Sequence, residues 1–192
     1  MTDLHPWKIE TPPRIVSHIK PKIVPEHIAL TQSWLAELVR RGIYTREEAA
    51  ALQDPGGTTS WAAPLDQQFG PLSTIARAGD VVIAGVDLWQ QKRAHYWFIS
   101  DLVRDQSPQF KGVGREIVEM TIMWWMSQFS RTDWGLRVYA ITRDIGAVKW
   151  WAGYLKRSPD HSGEWIKSRG FVFSAVGWVL NSVGSGRGLP KH

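Results

Sequence analysis

Two glycines one residue apart, Gly112 and Gly114, mark the point where the chain changes periodicity, and that change limits the folds open to it. Upstream, three apolar runs of strand length follow one another over 73–78, 81–89 and 95–103, parted by turns at Gly79-Asp80 and near 91–93. Strands joined by turns that short pair antiparallel, as a meander. Downstream, 115–129 sets Ile117, Met120 and Trp124 on one helical stripe, with Val118, Ile122 and Trp125 beside it. A short apolar strand (136–141), a second helix (145–156) and one or two closing strands (170–180) follow. Strand, helix and strand in that order need a crossover, so the second half carries a βαβ element. The predicted class is mixed α/β (α+β): N-terminal helices, an antiparallel three-strand meander, a βαβ element and C-terminal strands.

The N-terminal helices are read at 26–41 and from Thr45 to about Gln53. The first sets Thr31, Leu35, Leu38 and Val39 on one side and is stopped by Gly42. The second opens on a capping box, Thr45-Arg-Glu-Glu48. Residues 54–60 read as a loop. Before the helices, 1–25 holds Pro6, Pro12, Pro13, Pro21 and Pro25, which exclude a long helix and leave an extended arm with a short strand near 14–19. The glycine-rich end, 184–192, reads as a flexible tail. One domain, 26–183, lies between arm and tail, and 192 residues suffice for a sizeable core.

There are no cysteines, which excludes disulfide scaffolds, thiolate zinc sites and cysteine nucleophiles. The six histidines show no ligand spacing, so no metal site is expected. No apolar run reaches the length of a spanning helix, and the N-terminus lacks a secretory pattern, so the expected location is cytoplasmic, with no membrane partner. The net charge of +5 is unevenly spread. Residues 26–103 hold 6 basic against 9 acidic side chains, and 104–169 hold 11 against 7. A basic second half suits an anionic ligand such as a nucleotide or phosphorylated cofactor, and equally a polynucleotide.

The stretch Gln109-Phe-Lys-Gly-Val-Gly-Arg115 lies between a predicted strand and a predicted helix. Glycines there let backbone N–H groups approach a ligand, and the unpaired amides and dipole of a helix N-terminus favour an anion. Lys111 and Arg115 add positive charge, so a pyrophosphate suits the place. No Gly-Lys-Ser/Thr follows, and Ile117 stands where a third glycine would complete a dinucleotide fingerprint. The alternative is that the glycines serve only the turn and close packing.

Gln109-x-x-Gly112-x-Gly114 resembles the Q/R-x-x-G-x-G/A signature of the GNAT superfamily, the acyl-CoA-dependent N-acyltransferases, and the order of elements over 26–180 is similar to that family's. The resemblance implies acetyl-CoA or another acyl-CoA as cofactor. It implies pyrophosphate binding by backbone amides from Phe110 through Lys111, Gly112, Val113 and Gly114 to Arg115, with Gln109 opening the signature. It implies that Leu102 and Val103 present backbone groups to the pantetheine arm, between a fourth and a fifth strand that splay apart. The family often carries Asn-x-x-Ala-x-x-x-Tyr after the fifth strand, the Tyr protonating the departing thiolate. Here Asp144 stands for the Asn, Ala147 matches, and Trp151 stands for the Tyr. An indole N–H is too weak an acid for that work, so Tyr154, one turn further along the helix, is the substitute candidate, with water or a non-catalytic CoA-binding protein as the alternatives.

An attacking amine must lose a proton, which calls for a nearby carboxylate or imidazole. Asp101 and Asp87, in predicted central strands, are the candidates for that base, with His95 as a third that also reads as a turn end. No serine or threonine sits in a nucleophile motif, so direct attack by the amine is expected. The twelve tryptophans, among them Trp124, Trp125, Trp150 and Trp151 on two helices, read as core. Some of them, with Trp61, Trp89 and Trp97, read alternatively as a stacking surface for an aromatic acceptor or nucleobase. The expected partner is a small-molecule or macromolecular amine, and the second reading is a basic, tryptophan-rich nucleic-acid-binding or nucleic-acid-modifying module on the same fold. The stretch Asp160-His-Ser-Gly-Glu164 reads as a surface loop.

Overall fold

The computed structural model describes residues 6–14, 32–51, 72–91, 95–157, 161–168 and 171–181. Their centre is one seven-stranded sheet made of β1 (Lys8–Glu10), β2 (Ser73–Ala78), β3 (Val81–Gln91), β4 (Tyr96–Arg104), β5 (Gly135–Ile141), β6 (His161–Ser168) and β7 (Phe171–Asn181). The order across the sheet is β1-β2-β3-β4-β5-β7-β6. β4 and β5 run parallel, and each of the other neighbouring pairs is antiparallel. The helices are α1 (Gln32–Arg40), α2 (Arg46–Ala51), α3 (Val113–Phe129) and α4 (Ile145–Leu155). Mixed α/β topology, the meander of β2 to β4 and the crossover through α3 are all as the periodicity predicts.

Two apolar clusters cover opposite faces of the sheet. On one, α3 sets Ile117, Val118 and Trp125 against Val86, Leu88 and Trp97, with Trp151 of α4 beside them. On the other, Leu38 of α1, Tyr44 and Ala49 of α2 pack on Phe98, Tyr139 and Ile141. Alternation in β4 feeds both, since Trp97 and Ile99 point one way and Phe98 the other. Trp124, Trp125 and Trp151 are core residues as expected, whereas Trp150, also read as core, is exposed beside a cleft; Trp97 is buried and offers no stacking surface. Trp61 lies outside the described residues.

The capping box forms as read. Glu48 N–H donates to Thr45 Oγ1 at 3.1 Å and Thr45 N–H to Glu48 Oε2 at 2.8 Å, which starts α2.

Three boundaries differ from the reading. The arm's strand is Lys8–Glu10 at the edge of β2, not near 14–19, of which only Arg14 is described and lies outside a strand. Just before it, Trp7 Nε1 donates to Glu116 Oε2 at 2.9 Å, and its ring meets Phe110 edge-on, so the arm reaches the start of α3. The stretch read as a loop at 160–164 is, from His161, the start of β6, because β7 offers it a free edge to pair with. Finally, α3 begins at Val113 rather than Arg115, which makes Gly112 its N-cap and puts Gly114 in its first turn. The tail 184–192 lies outside the described residues.

Candidate functional site

The site begins where β4 and β5 part. They pair over Tyr96–Gly135 to Ile99–Val138, yet β4 continues to Arg104 and β5 to Ile141. Beyond Ile99 the outer edge of β4 stays on β3, and β5 stays on β7 as far as Ile141–Ala175. The strands therefore open like a V toward their C-terminal ends, with no ladder between their facing edges. A cleft of about 730 Å³ fills the gap. Phe98, Ile99, Leu102 and Arg104 of β4 face residues 138–141 of β5 across it. Glu37 and Leu38 of α1 and Arg41 just after it border the cleft, as do Asp144, Gly146, Ala147, Trp150 and Trp151 of α4 and its cap. The glycine turn, with Ser107, Pro108, Lys111, Gly112, Gly114 and Arg115, closes its outer end.

That turn places backbone amides at a helix start. A single 3-10 turn, Pro108–Phe110, uses the Phe110 and Lys111 amides, which donate to Ser107 O at 3.0 Å and Pro108 O at 3.1 Å. Gly112 then adopts φ 103°, a conformation open to glycine and strained for other residues, and reverses the chain into α3. Its carbonyl accepts from the Arg115 and Glu116 amides at 2.9 and 3.3 Å. Of the six amides from Phe110 to Arg115, three are thus used by the turn itself, and those of Gly112, Val113 and Gly114 remain at the helix start. A Cβ on Gly112 would meet nothing within 4 Å, so the space above it is open to a ligand. Gly114 answers to a close approach instead, because a Cβ there would lie 3.2 Å from Cδ of Arg104. Arg104, Lys111 and Arg115 line the cleft beside the helix start, Arg115 with its Nε donating to Glu119 Oε1 at 2.8 Å. The fit to a pyrophosphate rests on donors, dipole and charge together.

At the other lip of the V, Asp144 caps α4 by accepting from the Ala147 amide at 2.9 Å. Arg41, the residue after α1, grips it end-on, Nη2 to Oδ1 at 2.7 Å and Nη1 to Oδ2 at 2.6 Å. Glu37, also buried, is gripped by Arg40 at 2.6 and 2.7 Å. The end of α1 thus carries two ion pairs along the side of the cleft.

Of the residues expected to hold the cofactor, Leu102, Lys111, Gly112, Gly114, Arg115 and Asp144 border the cleft, whereas Val103, Gln109, Phe110 and Val113 do not. Val103 and Val113 are buried in the core, Phe110 packs against Trp7, and Gln109 is exposed. Among the expected catalytic residues, Asp87 is buried beside Ser73, whose hydroxyl donates to it, and does not border the cleft. Asp101 lies on β4, and its side chain is outside the described residues. Tyr154 sits half-buried on α4, stacked flat on Trp150 at 5.3 Å and away from the cleft lining. Burial, and then the Glu119 carboxylate, push its phenol up to about 12. His95 is a turn end, with φ 51°, paired to Asp133 at 3.0 Å and stacked on Trp134.

The sequence reading missed Arg41, Glu37, Arg104 and Tyr139. Tyr139 is the phenol among the described lining residues, and its hydroxyl accepts from Arg137 Nη1 at 3.2 Å. Arg104 had a signal, a cation at the end of the strand that precedes the glycine turn. Arg41 had none, because its partner lies 103 residues away.

The element order, the one parallel pair and its divergence agree with the GNAT-like architecture that the glycine signature implies. No protein-family model matches the chain, and no curated protein sequence matches it. Among solved structures, it is similar to a candidate streptothricin acetyltransferase from Bacillus anthracis in complex with acetyl coenzyme A, at 17% identity and a TM-score of 0.44. That match covers 57% of this chain and 61% of the other, so this chain spans about three-fifths of that protein's length. It is also similar to an acyl-CoA N-acyltransferase from Pseudomonas aeruginosa (13% identity, TM-score 0.45, covering 89% and 97%). A third is Arabidopsis thaliana NAA60 in complex with a bisubstrate analogue (12% identity, TM-score 0.45, covering 83% and 94%).

Proposed function

We propose that the chain is an acyl-CoA-dependent N-acyltransferase that moves an acetyl or other acyl group to an acceptor amine. The observation that carries this reading is the cleft between β4 and β5, closed at its outer end by the glycine turn and its cations. The amides of Gly112, Val113 and Gly114, with Lys111, Arg115 and Arg104, hold the pyrophosphate. The pantetheine arm lies in the V, where Leu102 and the strand edges offer it unpaired backbone groups. The thioester then reaches the narrow end of the V, near Ile99 and Val138.

The acceptor amine, freed of its proton, attacks the thioester carbonyl directly. The C–N bond forms, the C–S bond breaks, and the thiolate leaves and is protonated. Backbone N–H groups at the strand edge are placed to stabilise charge on the carbonyl oxygen. Tyr154 is a weak choice of proton donor. A phenol near 12 stays protonated, yet gives its proton to a thiolate, whose thiol sits at about 8.5, only uphill. Tyr139, which borders the cleft, or water is the better source. For the base, Asp101 stands as proposed from the sequence, and Asp87 acts at most through intervening groups.

Calorimetric titration with acetyl-CoA and free CoA tests the reading. Micromolar binding by the natural protein, lost in Gly112→Asp, is the expected result, since a carboxylate there occupies the anion's place and repels it. No binding at millimolar CoA would overturn it. Binding of nucleic acid that falls steeply with salt, without CoA binding, would favour the second reading instead.

A further inference from the structure

Asp144 borders the cleft but has no donor to give to it. An ionised carboxylate only accepts hydrogen bonds, and both its oxygens are occupied. Oδ1 accepts from Arg41 Nη2 and from the Ala147 amide, and Oδ2 from Arg41 Nη1. The polar surface at this lip of the V therefore belongs to Arg41. Its side chain is 33% exposed against 4% for Asp144, and it lines the cleft. Gly146 makes the arrangement possible. A Cβ there would stand 3.0 Å from Arg41 Nη2, so a larger residue would push the guanidinium off the first turn of α4.

Pairing each Nη with one carboxylate oxygen leaves Nε–H and the second hydrogen of each Nη without that partner. Arg41, one-third exposed, lines a channel whose proposed guest, the pantetheine arm, is uncharged and carries amide carbonyls. Arg41 is not free to wander, because its carboxylate partner is itself locked onto the helix N-terminus. We propose that Arg41 is a cofactor-binding residue, donating hydrogen bonds to the amide carbonyls of the pantetheine arm. Asp144 serves to hold it. The assignment rests on the acyl-CoA reading.

The experiment compares two ligands, CoA and its fragment 3′-phosphoadenosine 5′-diphosphate, which lacks the pantetheine arm. Arg41→Lys keeps a cation opposite Asp144, and so the fold, but loses the fork and the Nε donor. It is expected to weaken CoA binding by about tenfold and to leave the fragment unchanged. Arg41→Met combined with Asp144→Asn removes the ion pair without stranding a charge and returns an amide donor to the same lip. It is expected to bind CoA within about threefold of the natural protein. Equal weakening of both ligands in Arg41→Lys, or no weakening of CoA, would overturn the assignment. So would failure of the double variant to bind CoA while it still binds the fragment. A natural protein that binds neither ligand overturns the acyl-CoA reading itself, which separates the two failures.

Discussion

At the scale of single residues, the site shows how one substitution in a motif is answered elsewhere in the chain. Trp151 stands at the position where the resemblance implies a Tyr; it is largely buried and borders the cleft with an indole, which is too weak an acid to donate a proton. The phenol that remains one turn further on, Tyr154, is held away from the lining and kept neutral by its burial. Tyr154→Phe is accordingly expected to leave kcat within about twofold, whereas Tyr139→Phe, at the cleft, lowers it by about tenfold; steady-state rates with saturating acetyl-CoA and an accepted amine check both. The same shift has a consequence for stability. The folded state holds Tyr154 protonated up to about 12, while an unfolded tyrosine ionises near its ordinary value of about 10. Its contribution is therefore intact below pH 10 and is lost as the pH rises from there through about 12. Urea midpoints measured from pH 8 to 11.5 should fall less steeply above pH 10 in Tyr154→Phe than in the natural protein.

At the scale of elements, short helices here depend on their ends. α2 has six residues, too few to persist on its own, and is held by the Thr45–Glu48 box and by packing through Ala49. Thr45→Ala is expected to cost about 1 kcal/mol, read as a lower urea midpoint with an unchanged m-value. α1 does more than cover the sheet. Leu38 anchors it on Phe98, Tyr139 and Ile141, and that anchoring brings Glu37 and Arg41 to the cleft. The box was legible because its partners are three residues apart. The ion pair of Arg41 with Asp144 was not, because neither residue's neighbours in sequence announce it.

At the scale of the whole molecule, the uneven charge acquires a place. Of the eleven basic side chains of 104–169, Arg104, Lys111 and Arg115 line one end of one cleft, beside a helix start. A ligand bound there stabilises the fold by mass action. Acetyl-CoA at one hundred times its dissociation constant is expected to add about 2.7 kcal/mol and raise the melting temperature, with an affinity that falls less between 50 and 200 mM salt than a polynucleotide's would; thermal scans at fixed ligand concentration and the two salt concentrations check this. The sequence by itself determined the order of elements, the two glycines of the turn, and the faces on which tryptophans meet. Each of these depends on periods of two or 3.6 residues, or on backbone conformations that only certain residues adopt. Only the tertiary structure decided that β4 and β5 diverge after Ile99, that β6 finds an edge on β7, and which polar side chains converge on the gap. Those outcomes come from contacts between residues far apart in the chain. Burial and charge pairing select such contacts once the sheet has formed, and no local pattern encodes them.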